Sequence, residues 1–430
     1  MLDRYARFLV HKSPAMIDAA LRSIVCSAYR SVPLFQERLD TVRVSPREIQ
    51  SQRDLQQLPM ASRDNFRDSP TSEYTNRNRD LARCRMSSTS GTTGIPLNVY
   101  MNRSEAAYRK LVLFNAIRRN IHLSLPFGIA EVGTGAIGVT ARRKSRWFDP
   151  VQICHISRTL PIDEQLTRLI QCRPHVITGH PSCLELVAEE VHGCLSTISP
   201  RLVVCRGELL RDGTRALLED SFGCRVVDYY SCDEIGNIAW ECPEHQHRLH
   251  ISTDGCIVEI VDEVGKELPS ETEGQIVITN LFNRTMPFIR HRLGDRGSWL
   301  GEGDVRCSCG HRGPTLSLLA GRDDDYCLLP NGRKLSPRVL NSILSAAVAA
   351  PNREGYYARQ YQILQETPQL FRVLIHPRDD APKDLPMRIL KAIEDLDPDI
   401  SCCVEYVEAI PLSLCGKHRT IIPWQQSGKN

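Results

Sequence analysis

The sequence predicts an α/β protein with mixed sheets, divided into a large N-terminal domain and a small C-terminal α/β domain. With 430 residues, the chain is longer than one hydrophobic core usually serves. Strand and helix patterns alternate from about residue 125, which is typical of α/β sheet domains. Near Gly321 the composition changes, and a compact run of strands and helices follows. We therefore expect one domain over residues 1–320 and a second over residues 321–430.

Helices are predicted from the spacing of apolar residues. A first helix ends before Pro33, and one of its faces carries Ile17, Leu21, Ile24, Val25 and Ala28. Ser182 and Glu185 have the spacing of a capping box, with Ser182 as the N-cap of a later helix. In the small domain, Ser336-Pro337 is expected to open one helix, and residues 384–396 form another.

Strands are predicted from short apolar runs bounded by turn residues. Residues 202–205 and 225–229 are expected to flank a helix at 211–222 that Gly223 ends, giving a βαβ unit. Further strands are expected at 256–261 and 275–281 in the large domain, and beyond an Asn331-Gly332 turn at 360–365, 370–376 and 402–408.

Composition excludes several classes of function. Hydrophobic residues make up 41% and charged residues 24% of the chain, as in ordinary globular proteins. The net charge of +3 is too small to indicate nucleic-acid or membrane-surface partners. No apolar run approaches about 18 residues, and the N-terminus lacks the apolar core of a signal peptide. We expect a cytoplasmic protein that binds neither nucleic acid nor membrane.

The chain contains 17 cysteines, and two segments have the composition of a metal site. Cys307 and Cys309 form a tight pair, for which a reducing compartment favours metal binding over a disulfide. Cys242 precedes three histidines, His245, His247 and His250. Three thiolates and one imidazole would make a closed tetrahedral zinc site that stabilises structure. The alternative is two unrelated turns rich in cysteine and histidine.

A run rich in hydroxyls and glycine is the most informative motif. It consists of Ser87, Ser88, Thr89, Ser90, Gly91, Thr92, Thr93 and Gly94. Such a loop can direct N–H groups and hydroxyls toward the oxygens of a polyphosphate. No Gly-Lys-Ser/Thr follows, so it is not a Walker A loop. The alternative is a flexible linker, but strand-like residues on both sides indicate that the loop lies inside a folded domain.

Two segments follow the strands of the βαβ unit, where open α/β sheets place their ligands. Gly207-Glu208 comes after the first strand. The second segment contains Tyr230, Ser231, Cys232, Asp233 and Glu234. Glu234 can hold Mg²⁺ against phosphate oxygens, because hard cations prefer carboxylates. Tyr229 or Tyr230 can stack on a base. The alternative is an acidic surface loop.

Three more residues are candidates for nucleotide contacts or catalysis. Asp295, just past a glycine, can accept hydrogen bonds from both ribose hydroxyls, although Gly-Asp pairs are frequent in turns. Arg322, at the inferred domain boundary, can reach a phosphate or ribose. Lys417, on a glycine-containing loop, can bring positive charge to a developing transition state, although a lone lysine usually lies on the surface.

In this order, these segments resemble the adenylate-forming superfamily, and most closely its phenylacetate–CoA ligase and coenzyme F390 synthetase-like branch. The resemblance covers nearly the whole chain and implies that ATP and a carboxylic acid give an acyl-adenylate, which CoA then captures as a thioester. It implies that Ser87 to Gly94 hold the ATP phosphates, Gly207-Glu208 and Tyr230 to Glu234 line the nucleotide, and Glu234 faces Mg²⁺.

The resemblance also assigns roles further along the chain. It implies that Asp295 binds ribose with Arg322 following it, that Asp324 is the hinge of a mobile small domain, and that Lys417 is the catalytic lysine. Leu249-His250-Ile251 favours His250 over the other histidines as the fourth zinc ligand, with Cys242, Cys307 and Cys309. Four positions depart from the family pattern: Ile95 for lysine, Ser231 for glycine, Asp233 for threonine and His291 for tyrosine.

The acyl pocket is expected near Phe127 to Gly138, where glycines leave room and aliphatic residues provide apolar walls. The alternative is a buried glycine-rich strand and turn. By resemblance, an aryl or arylalkyl carboxylic acid is the first substrate hypothesis. A second hypothesis transfers the acyl group to an amine or to the thiol of a separate carrier protein. A third is a non-catalytic nucleotide-binding protein.

Overall fold

The computed structural model describes residues 13–88, 97–123, 126–133, 151–191, 198–301, 306–322, 326–350, 356–411 and 419–424. The α-helices in these ranges are α1 (Pro14–Ser31), α2 (Pro33–Thr41), α3 (Arg63–Arg67), α4 (Thr71–Tyr74), α5 (Arg103–Asn120), α6 (Ile162–Cys172), α7 (Pro181–Val191), α8 (Asp212–Phe222), α9 (Pro337–Val348) and α10 (Leu385–Glu394). Two short 3₁₀ helices span Gln52–Gln57 and Leu81–Arg83.

The strands of the described residues, in chain order, are β1 (Arg85–Ser88), β2 (Asn98–Met101), β3 (Phe127–Val132), β4 (Val151–Ile156), β5 (Val176–Gly179), β6 (Leu202–Arg206), β7 (Val226–Cys232), β8 (Gly236–Glu241), β9 (Leu249–Ile251), β10 (Cys256–Val261), β11 (Gly274–Asn280), β12 (His291–Trp299), β13 (Thr315–Arg322), β14 (Cys327–Leu328), β15 (Lys334–Leu335), β16 (Ala358–Gln365), β17 (Leu370–Pro377), β18 (Ser401–Tyr406) and β19 (Ile421–Ile422). The mixed α/β character that the sequence predicts is confirmed.

The chain divides into two compact units, the first of which combines Met1–Leu123 with Val227–Leu318. Its strands lie in the order β10-β11-β12-β13-β9-β8-β7, with antiparallel pairing at β10–β11, β11–β12, β13–β9, β9–β8 and β8–β7. One hydrophobic core includes Phe66 of α3, Val99 of β2, Ile238 of β8 and Phe288. Segments far apart in sequence therefore meet in this unit.

Helix α1 confirms the first predicted amphipathic helix. All five apolar residues of its predicted face are buried. Ser13 caps the helix by accepting a hydrogen bond from the Met16 N–H, and Pro14 occupies its first turn. The helix ends at Ser31, two residues before Pro33, as the sequence predicts.

The second unit combines Ser124–Val226 with Leu319–Asn430. Strands β4, β3, β5 and β6 lie side by side and parallel, with their helices covering a core of aliphatic residues. Helix α8 follows β6 and ends at Gly223, whose φ of 60° lies in the left-handed region, as predicted. Cys154 and Cys172 form a disulfide that the sequence did not predict.

The predicted capping box at Ser182 is wrong. Helix α7 begins at Pro181, two residues before the start that a Ser182 cap implies, because proline suits the first helical position; Ser182 then lies inside the first turn. The Ser182 N–H donates to Glu208 at 3.2 Å, and Glu185 pairs with Arg211 instead of closing a cap.

The C-terminal part of the second unit has its own four-stranded sheet, in the order β18-β17-β16-β19. Helices α9 and α10 pack with these strands around a separate core. Ser336 caps α9, and Gly332 turns the β14–β15 hairpin with a φ of 81°. These elements confirm the predictions for the region, and the division into residues 1–320 and 321–430 stays a prediction.

Candidate nucleotide site and metal centre

The strands before and after the hydroxyl-rich run pair with each other in the first unit. Strands β1 and β2 pair antiparallel from Arg85 opposite Met101 to Ser88 opposite Asn98, which confirms the predicted flanking strands. Val99 and Met101 are buried in the core that contains Phe66, so this core anchors the hairpin. Thr89, Ser90, Gly91, Thr92, Thr93 and Gly94 lie outside the described residues.

Two predicted nucleotide segments meet directly in this unit. The hydroxyl of Tyr230 on β7 donates a hydrogen bond of 2.7 Å to Oδ2 of Asp295 on β12. The two residues are 65 positions apart in sequence. The candidate base-stacking ring and the candidate ribose carboxylate are therefore neighbours.

A bulge in β12 sets the direction of Asp295. Gln275 of β11 pairs with Arg296 of β12, and Val277 pairs with Arg292. The interval from 275 to 277 therefore faces the longer interval from 292 to 296, so β12 contains two additional residues here. Gly294, at the centre of the extra residues, has a φ of 80°. The sequence predicts that Asp295 follows a strand; it lies within one, and the bulge rather than a strand end turns its side chain.

The two neighbouring tyrosines have different surroundings, because successive side chains of a strand point to opposite faces. Tyr229 is only 1% exposed, and its hydroxyl accepts a hydrogen bond from the Asn120 amide at 3.0 Å. Tyr230 is half-buried and bonded to Asp295. Of the two candidates, Tyr230 is the less buried and packs at the edge of the core, whereas Tyr229 belongs to the core.

Glu234 lies in the turn between β7 and β8 and is fully buried. Its Oε1 accepts a hydrogen bond of 2.9 Å from Nε of Arg63 on α3. Burial raises the pKa of Glu234, but the Arg63 guanidinium, His291 and the Glu234 backbone N–H together hold this pKa below its ordinary value. The carboxylate is therefore charged at neutral pH. Its Oε2 is buried without a hydrogen-bond partner among the described residues.

His291, at a position where the resemblance implies a tyrosine, lies in the same buried region. Its ring packs edge-on against Phe66 at 5.4 Å and tilts over Phe288 at 5.0 Å. Burial lowers the pKa of His291 to about 4, so the ring is neutral at pH 7. Neither ring nitrogen has a hydrogen-bond partner among the described residues. Glu234 therefore lies beside a neutral histidine that packs on aromatic rings.

Asp233 and Arg109 are the other charged groups at this turn. Nη1 of Arg109, on α5, donates to the backbone oxygen of Asp233 at 3.0 Å, and Nη2 lies 3.8 Å from its carboxylate. Sequence reasoning assigned no role to Arg63 or Arg109. The contacts join residues 171 and 124 positions apart, so no local pattern could reveal them.

Gly207 and Glu208 lie in the second unit, directly after β6, as predicted. Gly207 has a φ of 80°. Glu208 is nearly buried; Nδ1 of His180 lies 3.4 Å from its Oε1, and the Ser182 N–H donates to its Oε2 at 3.2 Å. Burial raises the pKa of Glu208, but these two neighbours lower it to about 2.

The remaining predicted residues are placed only in part. Arg322 is the last residue of β13, and its side chain is outside the description. Ser231 and Cys232 complete β7, where burial raises the pKa of the Cys232 thiol. Asp324 and Lys417 lie outside the described residues.

The predicted acyl-pocket segment begins with β3, and its residues 134–138 lie outside the described ranges. Within β3, Glu131 departs from the expected apolar walls. Its Oε2 lies 2.8 Å from Nδ1 of His155, and its Oε1 is 3.3 Å from Nη2 of Arg206. This part of the segment therefore carries a charged network on three parallel strands.

The four predicted metal ligands come together in the first unit. The ligand atoms of Cys242, His250, Cys307 and Cys309 all lie within 4.8 Å of one another. The sulfurs of Cys242 and Cys307 are 3.6 Å apart, and Cys309 Sγ is 3.3 Å from His250 Nε2. Zinc–sulfur bonds of about 2.3 Å in a tetrahedron put two sulfurs roughly 3.8 Å apart, so this spacing fits zinc.

The surroundings explain why His250 is the histidine of this cluster. Burial, reinforced by Arg248 and Arg119, lowers the pKa of His250 to about 4, so its ring is neutral. His245 is instead exposed and bonded through Nε2 to the Ser308 hydroxyl at 2.8 Å. Across the cluster, Trp240 packs against the His250 ring at 4.7 Å.

A tight turn presents Cys307 and Cys309. The Cys307 N–H donates to the His311 carbonyl, and the Gly310 N–H donates to the Cys307 carbonyl, each at 2.9 Å. Gly310 has a φ of 85°, and an isolated bridge joins Arg306 and Arg312. The turn therefore holds both sulfurs on one side, toward Cys242 and His250.

The chain is similar in sequence to curated phenylacetate–coenzyme A ligases. It is 27% identical over 325 residues to that of Pseudomonas putida, covering 72% of this chain and 70% of the relative. It is 25% identical over 343 residues to that of Escherichia coli (strain K12), covering 76% and 75%. No protein-family model matches the chain.

Solved structures show the same fold. 2-Hydroxyisobutyryl-CoA ligase, in the postadenylation state with R3-HIB-AMP, matches with a TM-score of 0.74 and 16% identity, covering 95% of this chain and 89% of that chain. ATP-bound MatB from Rhodopseudomonas palustris matches with a TM-score of 0.55 and 16% identity, covering 79% and 67%.

The fold is that of solved CoA ligases that form acyl-adenylates. The sequence similarity to phenylacetate–CoA ligases supports the superfamily and the branch that the motifs predict. No helix in the described part of the chain has both the length and the apolar character needed to cross a membrane.

Proposed function

We propose that this protein uses ATP to activate a carboxylic acid as an acyl-adenylate and then transfers the acyl group to CoA. The observation that carries the proposal is the contact between Tyr230 and Asp295, which joins two of the predicted nucleotide segments within one unit. The anchored β1–β2 hairpin and the Glu234 turn share the core of that unit.

Each residue has a role in this proposal that follows from its chemistry. Asp295 accepts the ribose hydroxyls, and the Tyr230 ring packs on the adenine. Ser87 to Gly94 surround the phosphates. Lys417 stabilises negative charge as the carboxylate oxygen attacks the α-phosphorus and pyrophosphate leaves.

Mg²⁺ fits the environment of Glu234. The buried Oε2 is a charged carboxylate oxygen without a hydrogen-bond partner among the described residues, and hard cations prefer such ligands. When bound with ATP, Mg²⁺ neutralises charge on the phosphate oxygens. The role of this chain is to hold the Glu234 carboxylate ionised, which the Arg63 pair achieves.

The acid is best sought by pyrophosphate exchange, followed by mass spectrometry of products formed from ATP, CoA and a panel of acids. We expect exchange with aryl or arylalkyl acids and a CoA thioester as the product. The panel should include aryl acids with hydroxyl or amino groups, because Glu131 makes β3 more polar than its neighbours suggest. A preference for short aliphatic acids would contradict the aryl assignment.

The second candidate, transfer to an amine or a carrier-protein thiol, uses the same adenylate. Turnover that needs an amine or an added carrier protein, with no CoA thioester, would favour this candidate. Absence of exchange with every acid, despite tight ATP binding, would instead favour a non-catalytic nucleotide-binding protein.

We also propose that Cys242, His250, Cys307 and Cys309 hold a structural Zn²⁺. Four protein ligands leave no open position, so the ion stabilises the fold and takes no part in the chemistry. We expect about one zinc per chain by elemental analysis and a lower unfolding midpoint after chelation. Cys309→Ser should release the metal, whereas Cys256→Ser, at a buried cysteine outside the cluster, should retain it. A zinc-free protein whose stability is unchanged by chelator would contradict the proposal.

A further inference from the structure

The turn between β7 and β8 carries two adjacent carboxylates, Asp233 and Glu234. The resemblance implies a threonine at position 233, whereas Asp233 places an additional negative charge beside the proposed phosphate position. A second carboxylate would repel a bound polyphosphate unless another group compensates for it. The contacts of this turn identify that group.

Each carboxylate of the turn has its own guanidinium, supplied by a different helix. Arg63 on α3 pairs with Glu234, and the two side chains are 15% and 0% exposed. Arg109 on α5 faces Asp233, and the two side chains are 25% and 39% exposed. The Glu234 pair is therefore internal, whereas the Asp233 pair lies at the surface that a ligand can reach.

Arg109 acts on both the backbone and the charge of Asp233. Its Nη1 donates to the Asp233 backbone oxygen at 3.0 Å, while Nη2 lies 3.8 Å from the Asp233 carboxylate. A planar guanidinium can make both contacts at once, whereas a lysine ammonium acts as a single point charge. Arg109 can therefore fix the turn and offset its additional charge together.

Gly236 provides the space for this arrangement. It has a φ of 93°, and a Cβ atom there would lie 2.8 Å from Cγ of Arg109. The stem of Arg109 thus lies directly over the turn because residue 236 has no side chain. The position of Arg109 is built into the turn and is not a chance contact of a surface side chain.

We propose that Arg109 is a positioning residue of the nucleotide site that offsets the charge of Asp233 and fixes the turn that carries Glu234. This inference rests on the proposed function, since it assumes that ATP phosphates lie beside the turn. It identifies Arg109 as the cation that compensates for the additional carboxylate at position 233.

The test is a double-mutant cycle with Arg109→Met and Asp233→Thr, read as the dissociation constant for MgATP by calorimetry without any acid. Arg109→Met leaves Asp233 uncompensated and should weaken MgATP binding roughly tenfold. Asp233→Thr alone should bind at least as tightly as the wild type. The double variant should bind MgATP several-fold more tightly than Arg109→Met, because the repulsion is removed with the carboxylate, and any remaining loss measures the contact of Arg109 with the backbone oxygen of residue 233.

Two controls separate this role from a general effect on folding or charge. Adenosine lacks phosphates, so its affinity should not change in Arg109→Met. Lys110→Met removes an exposed positive charge from the next position of α5 and should leave MgATP binding unchanged. If Arg109→Met is poorly folded, Arg109→Lys keeps the charge but loses the two-point geometry, and should weaken MgATP binding less.

The possible failures are distinguishable. A wild-type protein that does not bind MgATP overturns the proposed function, and the role of Arg109 with it. A wild type that binds MgATP, together with a double variant as weak as Arg109→Met, overturns the charge compensation alone. Equal loss of adenosine and MgATP affinity in Arg109→Met also overturns it, because that result indicates a structural effect.

Discussion

The two units each contain a buried arginine–glutamate pair, and the pairs differ in how completely the carboxylate is hydrogen-bonded. In the second unit, both oxygens of Glu185 accept from Nη2 of Arg211 at 3.1 and 3.0 Å, and Oε1 also accepts from the Thr214 hydroxyl at 2.9 Å. In the first unit, Glu234 uses only Oε1, and its Oε2 lacks a hydrogen-bond partner among the described residues.

The difference separates a structural pair from a site residue. A buried carboxylate oxygen without a partner costs free energy, so a fold retains one only where another requirement outweighs stability. Glu185 satisfies its own hydrogen bonds and joins α7 to Arg211, which itself packs over Tyr361 at 5.0 Å. In Glu234, Oε2 accepts no hydrogen bond from the described residues and remains available to bind a cation. We therefore expect the two pairs to respond oppositely to the same substitution.

The largest effect is expected for Glu234→Gln. Glutamine keeps the shape but removes the charge that would face Mg²⁺ and phosphate, so pyrophosphate exchange should fall by about 100-fold or more. Because the lowered pKa of Glu234 shows that its charge also stabilises the fold, exchange activity should be expressed per folded molecule. Asp233→Asn, in the same turn, should keep the exchange rate within a few-fold. A Glu234→Gln enzyme with full exchange activity would remove Glu234 from the site.

Glu185→Gln tests the other pair. It leaves the Arg211 guanidinium buried without its charge partner, which should destabilise the protein by about 3 kcal/mol. Exchange activity per folded molecule should stay unchanged. Glu190→Gln, at an exposed position of the same helix, is the matched control and should change stability by less than about 0.5 kcal/mol. Selective loss of activity in Glu185→Gln would break the distinction between the pairs.

Gly213→Ala tests the packing of the second unit near the Glu185–Arg211 pair. A Cβ at Gly213 would lie 2.0 Å from the Tyr356 ring, whose hydroxyl accepts a hydrogen bond from the Gly213 N–H at 3.1 Å. The ring must move, so we expect a loss of about 2 kcal/mol in chemical unfolding. In a Tyr356→Leu background the same change should cost clearly less; an equal cost in both backgrounds would show that the ring is not the obstacle.

The smallest effect concerns pH and Glu208. The pKa of Glu208 is lowered from 4.5 to about 2 in the folded protein, so its stabilisation is complete above pH 4.5 and is lost as the pH falls toward 2. By pH 3.5 the loss should be about 1 kcal/mol. In Glu208→Gln this component of the acid dependence should be absent. Identical pH profiles of the two proteins would contradict the assignment.

Local patterns were sufficient to predict most elements. The alternation of apolar residues gave β6, α8 and β7, and Gly223 marked the end of α8 because its left-handed φ suits glycine. The metal cluster was predicted too, from the Cys307–Cys309 pair and from Cys242 with the histidines after it, but the choice of His250 came from the family resemblance and not from spacing. The capping-box prediction at Ser182 is wrong because the same residue types occur at an N-cap and in a first turn. Pro181 distinguishes the two, since it takes the first helical position.

The partners of the site residues could not be predicted from the sequence. Arg63 and Arg109 are ordinary residues of helical segments, and nothing near them in sequence distinguishes them from solvated arginines. Their roles depend on α3 and α5 packing against the β7–β8 turn, which long-range contacts of the core decide. Burial of Glu234 was equally hidden, since an acidic turn is normally exposed.

At the bulge around Gly294, the direction of the Asp295 side chain depends on the number of residues in β12 rather than on their identity. A sheet alternates its faces with every residue, so removing one of the two additional residues would send Asp295 to the opposite face while leaving its chemistry intact. Removing both would restore an even ladder and shorten the reach toward Tyr230. Scanning with alanine would leave this spacing untouched, whereas single-residue deletions would expose it.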